Sequence, residues 1–551
     1  MLNYREDNRK KGFAKVLDFA RKHIITIIVV VAVIAGLIGT IVVMTGEHKR
    51  KEIEKQGDYI YKPAHTIFLP ISPAKSFNPL SSNGEDIHEI NQLLFSSLFT
   101  LDNSLNIKPE LTESYETDAD KGAVKIKLRT DARFSDGSDM TSEDIKYTVE
   151  KIQEIGESSP YYIYANRIEE VETLGKSLFN IRFKEKDDAA LDNLIFPIVS
   201  SKKYGEKENF PTSSGRYVCK KYDKDESIVL EPNKYYFGKK GGKEIDLKIL
   251  ENRNLEIGLM TMDSITAAVS TGQNVVKDVE NRDLASEKMV SNRLEYMGFN
   301  CGKGVFKNRN IRKACAYAIN QKKIVQDDYA DSATVAETIY YPGFLGSDKK
   351  AEPVMDLKKS ADLLKKEGYK TRDKEGYYVD EEGNRLKAIL LTDDGNASRR
   401  ESADTIVEQL KKAGIEVELE AVSRGSYIKK LKAGEFDIYL AAMQIDKQYR
   451  LVDMFSSGNY GEFNDAITLE RVKGLEKCIG EEELIKQFKK VKESLDKNMP
   501  YLPICYENDY LISTKTLVSK SNPVFFNPYR GIEGWKWEIR EPRENDQNKK
   551  K

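Results

Sequence analysis

Val124, Ile126 and Leu128 alternate with Lys125, Lys127 and Arg129. A period of two puts the apolar side chains on one face and the cations in water, so a half-buried strand is predicted. Asp136-Gly137 then marks a turn, and Thr141 with Asp144 three residues on has the capping-box pattern. Ile145, Thr148, Val149 and Ile152 share one helical face after it, which predicts a helix starting there. A second patterned region runs from 386 to 443. Leu386 to Leu391 is apolar, Ala403, Ile406, Val407 and Leu410 make a helical stripe ended by Gly414, Ile415, Val417, Leu419 and Ala421 alternate, and Phe436 to Met443 is apolar again. Strand, helix, strand, helix and strand in short order predict a parallel sheet covered by helices. In such sheets ligands bind beyond the carboxyl ends of the strands. That marks Gln444 to Asp446, and the polar loop Asp393 to Arg400, which enters a helix whose N-terminus suits an anion.

Residues 24–44 form 21 uncharged positions that would rise about 31 Å as a helix, the thickness of a bilayer's hydrocarbon core. A single transmembrane anchor is expected there, and through it a lipid bilayer as a partner. Arg5, Arg9, Lys10, Lys11, Lys15, Arg21 and Lys22 precede the run, against Lys49, Arg50, Lys51 and Lys55 after it, which favours a cytoplasmic N-terminus and an extracytoplasmic body. A cleaved signal has a shorter apolar region and a small-residue cleavage site, and neither is seen. Residues 1–23 are then a cytoplasmic segment, 45–58 a polar linker and 540–551 a disordered tail, leaving a folded body of roughly 59 to 539.

Composition narrows the function. The 551 residues carry 32% charged side chains yet a net charge of −1, so no whole-protein field draws nucleic acid, and none is expected as a partner. Five cysteines (219, 301, 315, 478 and 505), an odd number without a C-x-x-C pair, do not read as a disulfide framework, and Cys315 falls on the apolar face of a helix at 311–319. The four histidines, His23, His48, His65 and His88, leave none beyond residue 88. With no nucleophile elbow, zinc-binding helix motif or P-loop, an enzyme is not expected, nor a metal site or cofactor.

The order L-R-x-x-x-x-F-S-D-G-x-x-M-T-x-x-D-I at 128–145 resembles the extracytoplasmic solute-binding proteins of oligopeptide and dipeptide ABC transporters, extracellular solute-binding protein family 5. Further blocks match the family in order and spacing: Phe77-Asn78-Pro79-Leu80, residues 98–116, SSGRYVCKKYD at 213–223, YMGFN at 296–300, residues 308–324 and 363–391, and PYLPICY at 500–506. The resemblance implies an α/β, periplasmic-binding-protein-like type II fold with two α/β lobes joined by crossing strands. Lobe I would take 59–80, 196–295 and 505–539, with a subdomain inserted at 81–195; lobe II would take 296–504, and 296–300 and 500–506 would be the crossings.

In peptide-binding relatives the ligand lies extended between the lobes and pairs its backbone with protein strands. The matching positions are Ser82, Asn83 and Gly84, then Tyr161, and then Ala442, Gln444 and Asp446. Asp446 would hold the ligand's α-ammonium, since a desolvated cation needs a paired charge. The family's usual Trp before this Asp and aromatic-Asp-Pro run after it are missing from MQIDKQYRLVD, which leaves the ligand class open. Together with the anchor expected at 24–44, the resemblance implies a monomeric, membrane-anchored extracytoplasmic binding protein that captures peptides for import by an ABC permease. A tethered sensor, a binder of a metal chelate or sugar, and an adhesive ectodomain with a degenerate cleft stand as alternatives.

Overall fold

The computed structural model describes residues 59–542 apart from 83, 119, 186–190, 206, 225, 272–274, 347–354, 446–449, 479–480 and 518–520. The apolar run 24–44 lies outside them, and no helix among the described residues is long and apolar enough to cross a membrane. A short ribbon pairs strand Tyr59–Pro63 with strand Glu538–Pro542, so ordered chain continues three residues past the body's expected end at 539.

The predicted βαβαβ unit forms, and it sits in a seven-stranded mixed sheet. Strand Lys387–Asp393 pairs in parallel with both Glu416–Val422 and Ile438–Gln444, and helices Ala397–Ala413 and Arg424–Ala433 make the two crossovers. The first helix ends where predicted, at Gly414, whose φ of 87° suits a residue without a Cβ. Alternation along the strands feeds two cores. Leu390, Ile438 and Leu440 pack with Ala403, Ile406 and Leu410 on one face. Leu391 and Tyr439 pack with Tyr427 and Leu431 on the other.

Two long antiparallel strands, Leu284–Phe299 and Tyr501–Thr514, complete this sheet, with Ala267–Thr271 and Ala333–Val335 against the second of them. Their ladder runs from Leu284↔Thr514 to Val290↔Asn508, breaks, and resumes at Leu294↔Tyr506. Before the break Met289 and Leu511 enter one large core. After it, Met297, Phe299, Leu502 and Ile504 enter the core of the βαβαβ unit. The pair therefore joins two separately packed regions.

The first of these regions is built on two four-stranded sheets. Thr66–Ile71 runs parallel to Glu244–Ile249, followed by Ser227–Pro232 and Tyr217–Asp223. The second sheet is wholly antiparallel, in the order Thr112–Asp118, Ala123–Leu128, Leu178–Phe183, Ile168–Thr173. The predicted strand and capped helix are both here: Val124, Ile126 and Leu128 are buried, and the Thr141–Asp144 capping box opens helix Ser142–Ile155. Ile145, Val149 and Ile152 seat that helix on the sheet, in one core with Ile67, Leu69 and Ile71. All five cysteines are free, and Cys315 is buried in helix Arg309–Ala318.

Candidate functional site

Strand Ile438–Gln444 has one fully paired edge and one half-paired edge. On the first, each residue from Ile438 to Gln444 has a partner, from Phe299 to Arg293. On the second, Lys387–Asp393 meets it only at Leu390↔Ile438 and Leu391↔Tyr439. No described strand pairs with residues 440–444 on that edge. The neighbour peels away because Asp393 turns the chain: its carboxylate accepts from Gly395 N–H at 2.9 Å and from Arg424 Nη1 at 3.0 Å, just ahead of helix Ala397–Ala413. Tyr427 Oη caps the Leu440 carbonyl at 2.5 Å. Ala441 and Met443 lean on apolar neighbours, while the side chains of Ala442 and Gln444 are exposed. The strand's end is clamped, since Ile445 N–H donates to Asn292 O at 2.9 Å and Asn292 Nδ2 donates to Ile445 O at 2.8 Å. Asp446 lies outside the described residues. Further along, Arg450 Nη2 donates to Asn193 Oδ1 at 3.1 Å.

Ser82 and Gly84 follow the Asn78-Pro79 block, and Asn78 shows why that block is built as it is. Fully buried, it accepts at Oδ1 from Leu80 N–H (3.0 Å) and Tyr204 Oη (2.9 Å), and its carbonyl accepts from Ser82 N–H (3.0 Å). Gly84, at φ 148°, then swings the chain into helix Glu85–Leu94. A cavity of about 620 Å³ opens here, lined by Lys75, Ser81, Ser82, Gly84 and Asp86 among others. Ser82 Oγ is buried in its wall without a protein partner. Asp86 is fixed by Ser72 N–H at 2.6 Å and Arg253 Nη1 at 2.7 Å. Asn83 lies outside the described residues. Tyr161 is 4% exposed, its ring stacked on His88 of the same helix with centroids 5.6 Å apart, and burial pushes its phenol above the ordinary range. Ser82, Gly84 and Tyr161 thus gather around one helix, and Ala442 and Gln444 share one strand of the seven-stranded sheet.

Sequence reading missed two ion-pair clusters on the strand that pairs the other edge of Ile438–Gln444. Glu295, opposite Ala442, takes a bidentate pair from Arg399 with both N···O distances 2.7 Å, and both residues are buried. Arg293, opposite Gln444, donates to Glu507 at 2.8 Å and to Asp509 at 2.6 Å across the break in the long ladder. The signal was present in LEYMGF, where one carboxylate interrupts an apolar strand; its partner is 104 residues away. Among the described residues no group of three His, Cys, Asp or Glu side chains is placed to hold a metal.

The family model for bacterial extracellular solute-binding proteins, family 5, matches residues 106–463. The oligopeptide-binding protein AppA of Bacillus subtilis is 23% identical over 80% of this chain and 86% of its own. A glutathione-binding protein, GsiB of Shigella boydii, is 21% identical over 64% of this chain and 68% of its own. Among solved structures, a nickel ABC transporter protein from Bacillus halodurans superposes with a TM-score of 0.72 at 17% identity, covering 86% of this chain and all of that one, which carries the fold. These relatives include binders of peptides, of glutathione and a nickel transport component, and they are binding proteins rather than enzymes.

Proposed function

Because this chain belongs to the family 5 bacterial extracellular solute-binding proteins, we propose that it captures a peptide between two lobes and delivers it to an ABC permease. One observation carries the reading: among the described residues no strand pairs with 440–444 on the edge beyond Tyr439, at the carboxyl end of the three parallel strands, where Tyr427 caps the Leu440 carbonyl. An extended peptide can add there as a further strand, gaining main-chain hydrogen bonds that do not depend on its sequence. Asp446, two residues past the strand, is assigned to the ligand's α-ammonium. Ser82, Asn83, Gly84 and Tyr161 are assigned to the opposing wall, on the family's pattern. Similarity to AppA supports a peptide over the other solutes that relatives bind.

Closure is assigned to the two long strands. The ladder break between Val290 and Leu294 is where their pairing is weakest, so bending is expected there, slightly ahead of the 296–300 crossing read from sequence. The lobe and insert boundaries given above belong to the same proposal, as do the monomeric state and the bilayer anchor at 24–44 with an extracytoplasmic body. N-terminal sequencing of membrane-bound chain that began after residue 44 would refute the anchor. For the site, calorimetry with peptides of defined length should show Asp446→Ala weakening binding by more than about tenfold. Unchanged affinity removes Asp446 from the site, and binding of a metal chelate or sugar but no peptide overturns the ligand class.

A further inference from the structure

A half-open cavity of about 330 Å³ lies where the N-terminus of helix Ala397–Ala413 meets strand Tyr501–Thr514. Tyr329, Ser332, Asn396, Ser398, Glu507 and Asn508 line it. Asn508 is 2% exposed. Its carboxamide is oriented because Oδ1 accepts from Thr334 Oγ1 at 2.9 Å, which commits the oxygen and leaves Nδ2 without a protein partner. A buried amide donor left unmade is costly, so a donor of this kind on a cavity wall asks for an acceptor.

The charges nearby decide which acceptor. Glu507 is paired with Arg293 at 2.8 Å, Arg399 with Glu295 at 2.7 Å, and Asp393 with Arg424 at 3.0 Å. An anionic ligand group would need a spare cation, and Arg293 is already shared between Glu507 and Asp509, while a cationic group is donor-only and offers Asn508 Nδ2 no acceptor. A neutral group that accepts from Asn508 and donates in return to the Glu507 carboxylate or a serine hydroxyl fits the wall. The cavity also adjoins the open edge: Asn396 and Ser398 in its wall follow strand Lys387–Asp393, the strand that leaves that edge after Leu391↔Tyr439. We infer that this cavity is a side-chain pocket of the binding site, selecting a carboxamide, that is a Gln or Asn residue of a bound peptide. The inference rests on the peptide reading above.

The test uses the full chain and calorimetry with alanine-based tripeptides to pentapeptides carrying one Gln, Met, Glu or Lys at each position in turn. At one position Gln should bind more tightly than Met, its near-isostere, by about tenfold or more, the cost of leaving a buried neutral donor unpaired. Asn508→Asp, nearly the same shape with the donor removed, should cut that ratio at least several-fold; Asn508→Ala gives a second reading of the same ratio if the aspartate variant does not fold. Peptide binding without a Gln preference, or a preference unchanged in both variants, overturns the pocket and leaves the peptide reading standing. No binding of any peptide overturns both.

Discussion

Glu295 and Arg293 lie two residues apart on the same strand, and each anchors an ion-pair cluster, but the clusters are built differently. Glu295 and Arg399 face each other alone, with side chains 4% and 8% exposed, and close a bidentate fork. Arg293 is 26% exposed and shared between Glu507 and Asp509, across the point where the long ladder loses register. A buried, two-hydrogen-bond pair has one good geometry and resists rearrangement. A part-exposed arginine with two carboxylates can exchange partners while solvent covers the loss. The contrast assigns Glu295–Arg399 to holding the βαβαβ unit against the long strand, and the Arg293 cluster to the ladder break where bending is proposed.

The largest expected effect breaks the fork. Glu295→Ala leaves a buried guanidinium unpaired and should lower unfolding free energy by about 3–5 kcal/mol in urea titrations. A loss under about 1 kcal/mol would show that the pair is no firmer than a surface bridge. Arg293→Ala should cost less, about 1–2 kcal/mol, and should also change the distance between the two regions in small-angle scattering. A cost equal to that of Glu295→Ala with no change in scattering would erase the distinction.

Proton linkage sharpens the contrast further. Burial, opposed by Arg293, holds the Asp509 carboxyl above the usual range. The folded state then binds this proton more tightly than the unfolded chain does. The group's contribution is therefore fully present below the ordinary carboxylate pKa of about 4 and is lost as pH rises through the folded value. Relative to Asp509→Asn, the native chain should lose stability across that window with a slope no steeper than about 1.4 kcal/mol per pH unit. A flat or rising difference contradicts the burial argument. The smallest effect is that of salt. Going from low to molar ionic strength should shrink the cost of Arg293→Ala by a few tenths of a kcal/mol and leave that of Glu295→Ala unchanged, because only the part-exposed cluster is screened.

What was legible in the sequence was local. The strand ending at Leu128, the Thr141–Asp144 box and the three parallel strands with their two helices carry their own periodicity, caps and turns within tens of residues. The open edge was not legible, because it depends on how far strand Lys387–Asp393 follows its neighbour before Asp393 turns it, a tertiary outcome. Nor was the fork, whose partners stand on different elements of a sheet that 284–299 and 501–514 complete from distant parts of the chain. Tyr161, named from the family's pattern, is buried and packed on His88. Of the site residues named from the family's pattern, Ser82 and Gly84 line a cavity, Ala442 and Gln444 lie on the open edge, and Asn83 and Asp446 fall outside the described residues.

The central claim is that the edge at 440–444 receives the ligand's backbone, and hydrogen exchange reads it directly. Amide exchange of the full chain, followed by mass spectrometry with and without saturating tripeptide to pentapeptide pools, should show new protection in fragments spanning 440–446. Fragments from 294–298, paired on both sides, should remain unchanged. Ligand binding seen as protection elsewhere, with exchange at 440–446 unaltered, would contradict the account.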